Sequence, residues 1–136
     1  MKTHLDHIAI AVENLDMAQK IYEDLGLVFE EGREIVESQK VETAFAKIDQ
    51  NAMLELLCPI NSSGPIQKFL DSKGPGIHHI CLSVNDVKEK SKDLIRKGFK
   101  LIYDEPITGA HNCLVNFIHP KSTGGVLIEI SQKGEA

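Results

Sequence analysis

The chain carries an internal repeat, and this limits its folds more than any other feature. His7-Ile8-Ala9-Ile10-Ala11-Val12 returns 72 positions later as His79-Ile80-Cys81-Leu82-Ser83-Val84. Gly26 returns as Gly98 at the same offset. Further on, Met53-Leu54-Glu55-Leu56-Leu57 returns as Leu127-Ile128-Glu129-Ile130-Ser131, now at an offset of 74. A small insertion between helix and last strand of the second half explains the change. Either half alone is too small for a robust core, and two packed together suffice. The 136 residues therefore read as one domain, with modules at about 4–60 and 76–132.

Each half gives the same succession of elements. Residues 5–12 alternate and are β-branched, which predicts a strand. Asn14 caps a helix over about 15–25, with Leu15, Ala18, Ile21, Tyr22 and Leu25 on its apolar face and Gly26 as its stop. Strands are predicted near 26–32, 41–48 and 53–58. A Pro/Ser/Gly loop then opens a short helix at 65–72, and Lys73-Gly74-Pro75-Gly76 breaks the chain. The second half gives a strand at 77–84, a helix at 86–97, and strands near 99–103, 113–118 and 125–131. Each module is β-α-β-β-β, and the fold class is α+β.

Composition narrows the function. Hydrophobic residues make up 42% and charged residues 26% of the chain, the balance of a globular protein. The net charge of −5 argues against a nucleic-acid partner, whose phosphates call for basic residues. No apolar run approaches the roughly 18 residues of a membrane span, and the N-terminal residues lack a signal-peptide core. A cytoplasmic location is the expectation. Cys58, Cys81 and Cys113 lie in or beside apolar runs, far apart in sequence, and read as buried, reduced thiols rather than a metal cluster.

The polar residues inside the strands carry the chemistry. Alternation puts His7, Ala9 and Ala11 opposite Ile8, Ile10 and Val12, and does the same in the repeat. Glu55 lies between Leu54 and Leu56, and Glu129 between Ile128 and Ile130. One reading leaves the glutamates facing solvent. The other follows from their matched positions: a pseudo-twofold would gather His7, Glu55, His79 and Glu129 around one axis. Two imidazoles and two carboxylates suit a divalent first-row metal with positions left for substrate. Glu42 shares its face with Ala44 and Ala46, either as a surface glutamate or as an acid/base group facing the metal. At an offset of 74 it meets Asn116, an amide and a candidate substrate contact. His78 points away from His79, and His4 and His119 read as non-ligands. His111 sits in an inter-strand loop, open to substrate or simply to solvent.

Together, and in this order, several segments resemble the vicinal-oxygen-chelate superfamily, which includes glyoxalase I, extradiol dioxygenases and antibiotic-resistance binding proteins. They are Leu5 to Val12, Glu55-Leu56-Leu57-Cys58-Pro59, Gly76-Ile77-His78-His79-Ile80, Tyr103-Asp104-Glu105-Pro106, and Phe117-Ile118-His119-Pro120-Lys121 through Glu129. Within the superfamily the chain is most similar to the branch that epimerises methylmalonyl thioesters of coenzyme A. The resemblance implies metal ligation by His7, Glu55, His79 and Glu129. It implies acid/base roles for Glu42 and Glu129. The metal implied is cobalt, with manganese, zinc or nickel as alternatives. Lys121 and His111 become candidate contacts for the coenzyme A tail, and a homodimer is implied. The competing expectations are a glyoxalase-like lyase, an Fe(II) dioxygenase and a non-enzymatic binding protein of the same fold.

Overall fold

The computed structural model describes residues 3–134. The ends of the expected domain, residues 1–2 and 135–136, lie outside the described residues. Among the described residues there are eight strands and three helices. The first half runs β1 (His4–Ala11), α1 (Leu15–Asp24), β2 (Glu34–Val36), β3 (Val41–Lys47) and β4 (Met53–Pro59). The connector α2 spans Pro65–Lys73. The second half runs β5 (Gly76–Ser83), α3 (Val87–Arg96), β6 (Ile107–Thr108), β7 (Leu114–Ile118) and β8 (Ile128–Gln132). The strand order is β2-β3-β4-β1 in the first half and β5-β8-β7-β6 in the second. The chain divides into two compact units, one spanning His7–His78, the other joining the residues before His7 to the segment from His79 onward.

Local chemistry explains the repeated β-α start. Asn14 and Asp86 stand at equivalent positions and cap their helices by accepting from Met17 N and Glu89 N, each at 3.0 Å. Gly26 and Gly98 follow the helices with φ of +106° and +93°, a region that favours glycine. Behind α1, Val12, Leu15, Ala18, Ala44, Leu54 and Leu56 form one apolar cluster. Burying a side chain such as Leu56 contributes about 1.5–3 kcal/mol. Val87, Leu94, Ile118 and Ile130 form its counterpart behind α3. Ile21 and Leu25, expected on the core face of α1, are exposed instead. Leu25 is already the cap residue where the chain leaves the helix axis.

The two middle strands differ from expectation. The stretches 26–32 and 99–103 reach the sheet only through single bridges, Phe29 to Ala46 and Leu101 to Ile118. The strands come later, as β2 and β6. Gly26 and Gly32 both have positive φ and bracket the first stretch, so no extended run persists there. Pairing resumes where Glu34–Val36 folds back on Val41–Thr43 through a short 3-10 turn at Glu37–Gln39. Lys40 closes that hairpin in the left-handed region at φ 55°.

Candidate functional site

In each unit a buried histidine on the first strand meets a buried glutamate on the last. β1 and β4 pair in parallel with Ala9 opposite Glu55, while β5 and β8 place Cys81 opposite Glu129. The glutamate is thus level with the residue two beyond the histidine, on the histidine's own face. His7 Nε2 lies 3.1 Å from Glu55 Oε1, and His79 Nε2 lies 3.0 Å from Glu129 Oε1. All four side chains are less than a tenth exposed, from 4% for Glu55 to 8% for Glu129. The solvent-facing reading of the two glutamates is therefore set aside.

The donor chemistry of both pairs fits a divalent cation. Two ligands held about 2.1 Å from one ion at a right angle stand about 3 Å apart, which is the separation each pair has. Imidazole nitrogen and carboxylate oxygen are both good ligands for divalent first-row ions. A buried carboxylate otherwise carries a large desolvation cost, which a cation offsets.

Two expected site residues are placed elsewhere. Glu42 pairs with Cys58, in the same antiparallel register that pairs Ala44 with Leu56 and Phe45 with Glu55. Directly opposed residues share a face, so Glu42 lies on the helix side with Ala44 and Leu56. It does not lie on the histidine side with Glu55. The Cys58 thiol is pushed above its ordinary value, first by burial and next by the Glu42 carboxylate, with Arg33 acting in the opposite direction. Asn116 is wholly buried and fully engaged in its own unit. Its amide nitrogen donates to Ser91 Oγ on α3 and to Tyr103 O, and its Oδ1 accepts from the backbone N–H groups of Tyr103 and Phe117. It is a structural fastener rather than a substrate contact.

Asn116 is also not the counterpart of Glu42. It opposes Ile130 as Ala44 opposes Leu56, while Leu114 opposes Gln132 as Glu42 opposes Cys58. The repeat offset is therefore 72 on β3 and β7, and it becomes 74 only after the turn between β7 and β8.

His111 and Lys121 are both exposed. His111 and Asn112 occupy consecutive left-handed positions, with φ of 56° and 57°. Lys121 N donates to His119 Nδ1 at 3.0 Å. His78 meets Phe69 edge to face, with ring centroids 4.9 Å apart. The three cysteines are free thiols; Cys81 is buried as expected, whereas Cys58 and Cys113 are only half-buried.

Two residues escaped the sequence reading. Phe45 packs edge to face on His7, and Phe117 does the same on His79. Each is the direct cross-strand partner of the glutamate in its unit. The β3/β7 offset of 72 would have linked them, had the register been known.

A mixed α+β chain of two β-α-β-β-β halves, each with an inward His–Glu pair, defines a class of protein. Residues 6–117 match the family described as the Glyoxalase/Bleomycin resistance protein/Dioxygenase superfamily, and the chain belongs to it. Within that superfamily, several of its relatives are named epimerases. It is 40% identical over 132 residues to the mitochondrial methylmalonyl-CoA epimerase of Dictyostelium discoideum, covering 95% of this chain and 78% of that protein. It is 37% identical over 131 residues to the ethylmalonyl-CoA/methylmalonyl-CoA epimerase of Cereibacter sphaeroides, covering 94% and 96%. A Streptomyces coelicolor methylmalonyl-CoA epimerase variant, solved with 2-nitronate-propionyl-CoA, superposes with a TM-score of 0.93. That pair is 33% identical, covering 99% of this chain and all of the other.

Proposed function

We propose that this chain is a metal-dependent methylmalonyl-CoA epimerase, interconverting the two C2 epimers of the substrate. The observation that carries this reading is the buried His–Glu pair present at matching register in both units, in a chain whose relatives are named for that reaction. His7, Glu55, His79 and Glu129 are the proposed ligands of one divalent ion, with cobalt first and manganese, zinc or nickel as alternatives. Such an ion supplies a Lewis acid for the thioester and carboxylate oxygens that flank C2.

The chain's own residues do the rest. His7 and His79 offer Nε2 as ligand atoms while the ring angle is held by the strands and by neighbouring side chains. The four residues are buried, so negative charge developing on the substrate meets fixed dipoles rather than bulk water. Glu129 takes the C2 proton from one face as base, a second acid in exchange with solvent delivers a proton to the opposite face, and the two roles reverse with direction. Glu42 has no part in this step, because it lies on the helix side of its strand. Exposed Lys121 and His111 suit the phosphates of the coenzyme A tail. Among the described residues, no helix is long and apolar enough to cross a membrane. A cytoplasmic homodimer is the assembly proposed.

The test is epimerisation of one methylmalonyl-CoA epimer in deuterated water, using protein reconstituted in turn with Co2+, Mn2+, Zn2+ and Ni2+. Inversion with deuterium appearing at C2 is expected, and His79→Ala should lose both bound metal and inversion. No inversion with any of the four metals overturns the proposal.

A further inference from the structure

The same ring stands beside the same imidazole in both units. Phe45 and His7 have centroids 5.9 Å apart and planes at 90°. Phe117 and His79 have centroids 5.4 Å apart and planes at 85°. Both phenylalanines are buried, at 4% and 7% exposure. Each opposes the glutamate of its unit across an antiparallel ladder, Phe45 on Glu55 and Phe117 on Glu129. Each histidine therefore lies between a carboxylate at one ring nitrogen and an aromatic ring.

We propose that Phe45 and Phe117 are positioning residues, which hold the His7 and His79 imidazoles at the angle that metal ligation requires. The inference rests on the reading that these histidines are ligands. An imidazole hangs from the strand by two rotatable bonds, and its Nε2 is aimed only if both are held. The strand fixes the Cβ direction, and the carboxylate alone fixes one atom. A ring in edge-to-face contact resists tilting, because the electron-poor edge of one ring already meets the electron-rich face of the other. Leucine fills much of the space without imposing that angle. The arrangement occurs twice, at equivalent register, which chance packing does not explain.

Phe117 has further contacts within its own unit. Its own N–H donates to Asn116 Oδ1 at 2.8 Å, and the Tyr103 ring stands 6.3 Å from it. Asn116 thus reaches the site indirectly, by anchoring the residue that orients His79.

The experiment is titration of Co2+ into chelator-treated full-length protein, read by the visible absorption of the bound ion. Wild type is compared with Phe45→Leu, Phe117→Leu, the ring-retaining Phe45→Tyr and Phe117→Tyr, and Leu94→Ala. The last is destabilised from the helix side. Each leucine variant should bind Co2+ about tenfold more weakly or worse, the scale of lost support around a metal ligand, with an altered absorption band. The tyrosine variants should recover most of the affinity. Leu94→Ala should lower the unfolding midpoint and leave affinity and spectrum unchanged. Should a leucine variant fail to fold, Phe→Met at that position replaces it. Wild-type binding with unchanged affinity and spectrum in the ring-less variants overturns this inference alone. Wild-type protein that binds no divalent ion overturns the ligand reading, and this inference with it.

Discussion

Glu42 and Phe45 lie three residues apart on one strand and face opposite sides of it. That parity separates a carboxylate beside a cysteine from a ring beside a ligand histidine. Replacing Glu42 with Gln should therefore leave metal content and epimerisation close to wild type. Glu129→Gln should slow the reaction by about 10²-fold or more, the usual scale for a lost general base. The same Glu42 variant has a second readout. A neighbouring carboxylate disfavours the thiolate, so removing its charge lowers the Cys58 pKa. Alkylation of Cys58 should then gain speed at lower pH than in wild type. An unchanged alkylation profile together with a large loss of activity would return Glu42 to the histidine side. Nothing local in Val41-Glu42-Thr43-Ala44 distinguishes the two faces, because Ala44 belongs to the helix-side cluster and the alanines beside His7 do not.

The strands that hold the site are those with the strongest alternation, and these were legible. β1, β3, β4, β5 and β7 fall within two residues of their predicted positions, while β8, expected from 125, begins three residues later at Ile128. β2 and β6 were not legible, since an edge strand of two or three residues has too short a pattern to read. Register was also hidden, because it depends on which turn length lies between β7 and β8. Asn116 shows what register does to an element. On β7 it joins α3 at Ser91 to the loop at Tyr103, so one side chain fastens three segments. Asn116→Ala leaves several buried polar groups without partners. It should cost about 2–3 kcal/mol of stability, read as a lower denaturant midpoint with little change in slope. Surface-like behaviour of that variant would rule out the fastening role.

At the scale of the molecule, the proposed ligand set draws one histidine and one glutamate from each compact unit. A bound ion then stabilises only the folded chain, by roughly 2.7 kcal/mol when free metal is a hundred times its dissociation constant. Chelator should lower the unfolding temperature, and restored metal should raise it again through one transition. Two transitions, with only one responding to metal, would place the ligands in a single unit. The net charge of −5 includes both buried glutamates, whose two negative charges a bound divalent cation would offset.

The repeat, the β-α-β-β-β order, the Asn14 cap and the matched positions of the histidines and glutamates were determined by the sequence alone. Each rests on short-range periodicity or on a side chain bonding its own backbone, and such signals survive in a linear string. The face of Glu42, the engagement of Asn116 and the rings beside the histidines were decided only by tertiary structure. All three depend on which residue of one strand stands opposite which residue of the next. A shift of a single residue reverses every face, and nothing local to either strand records it.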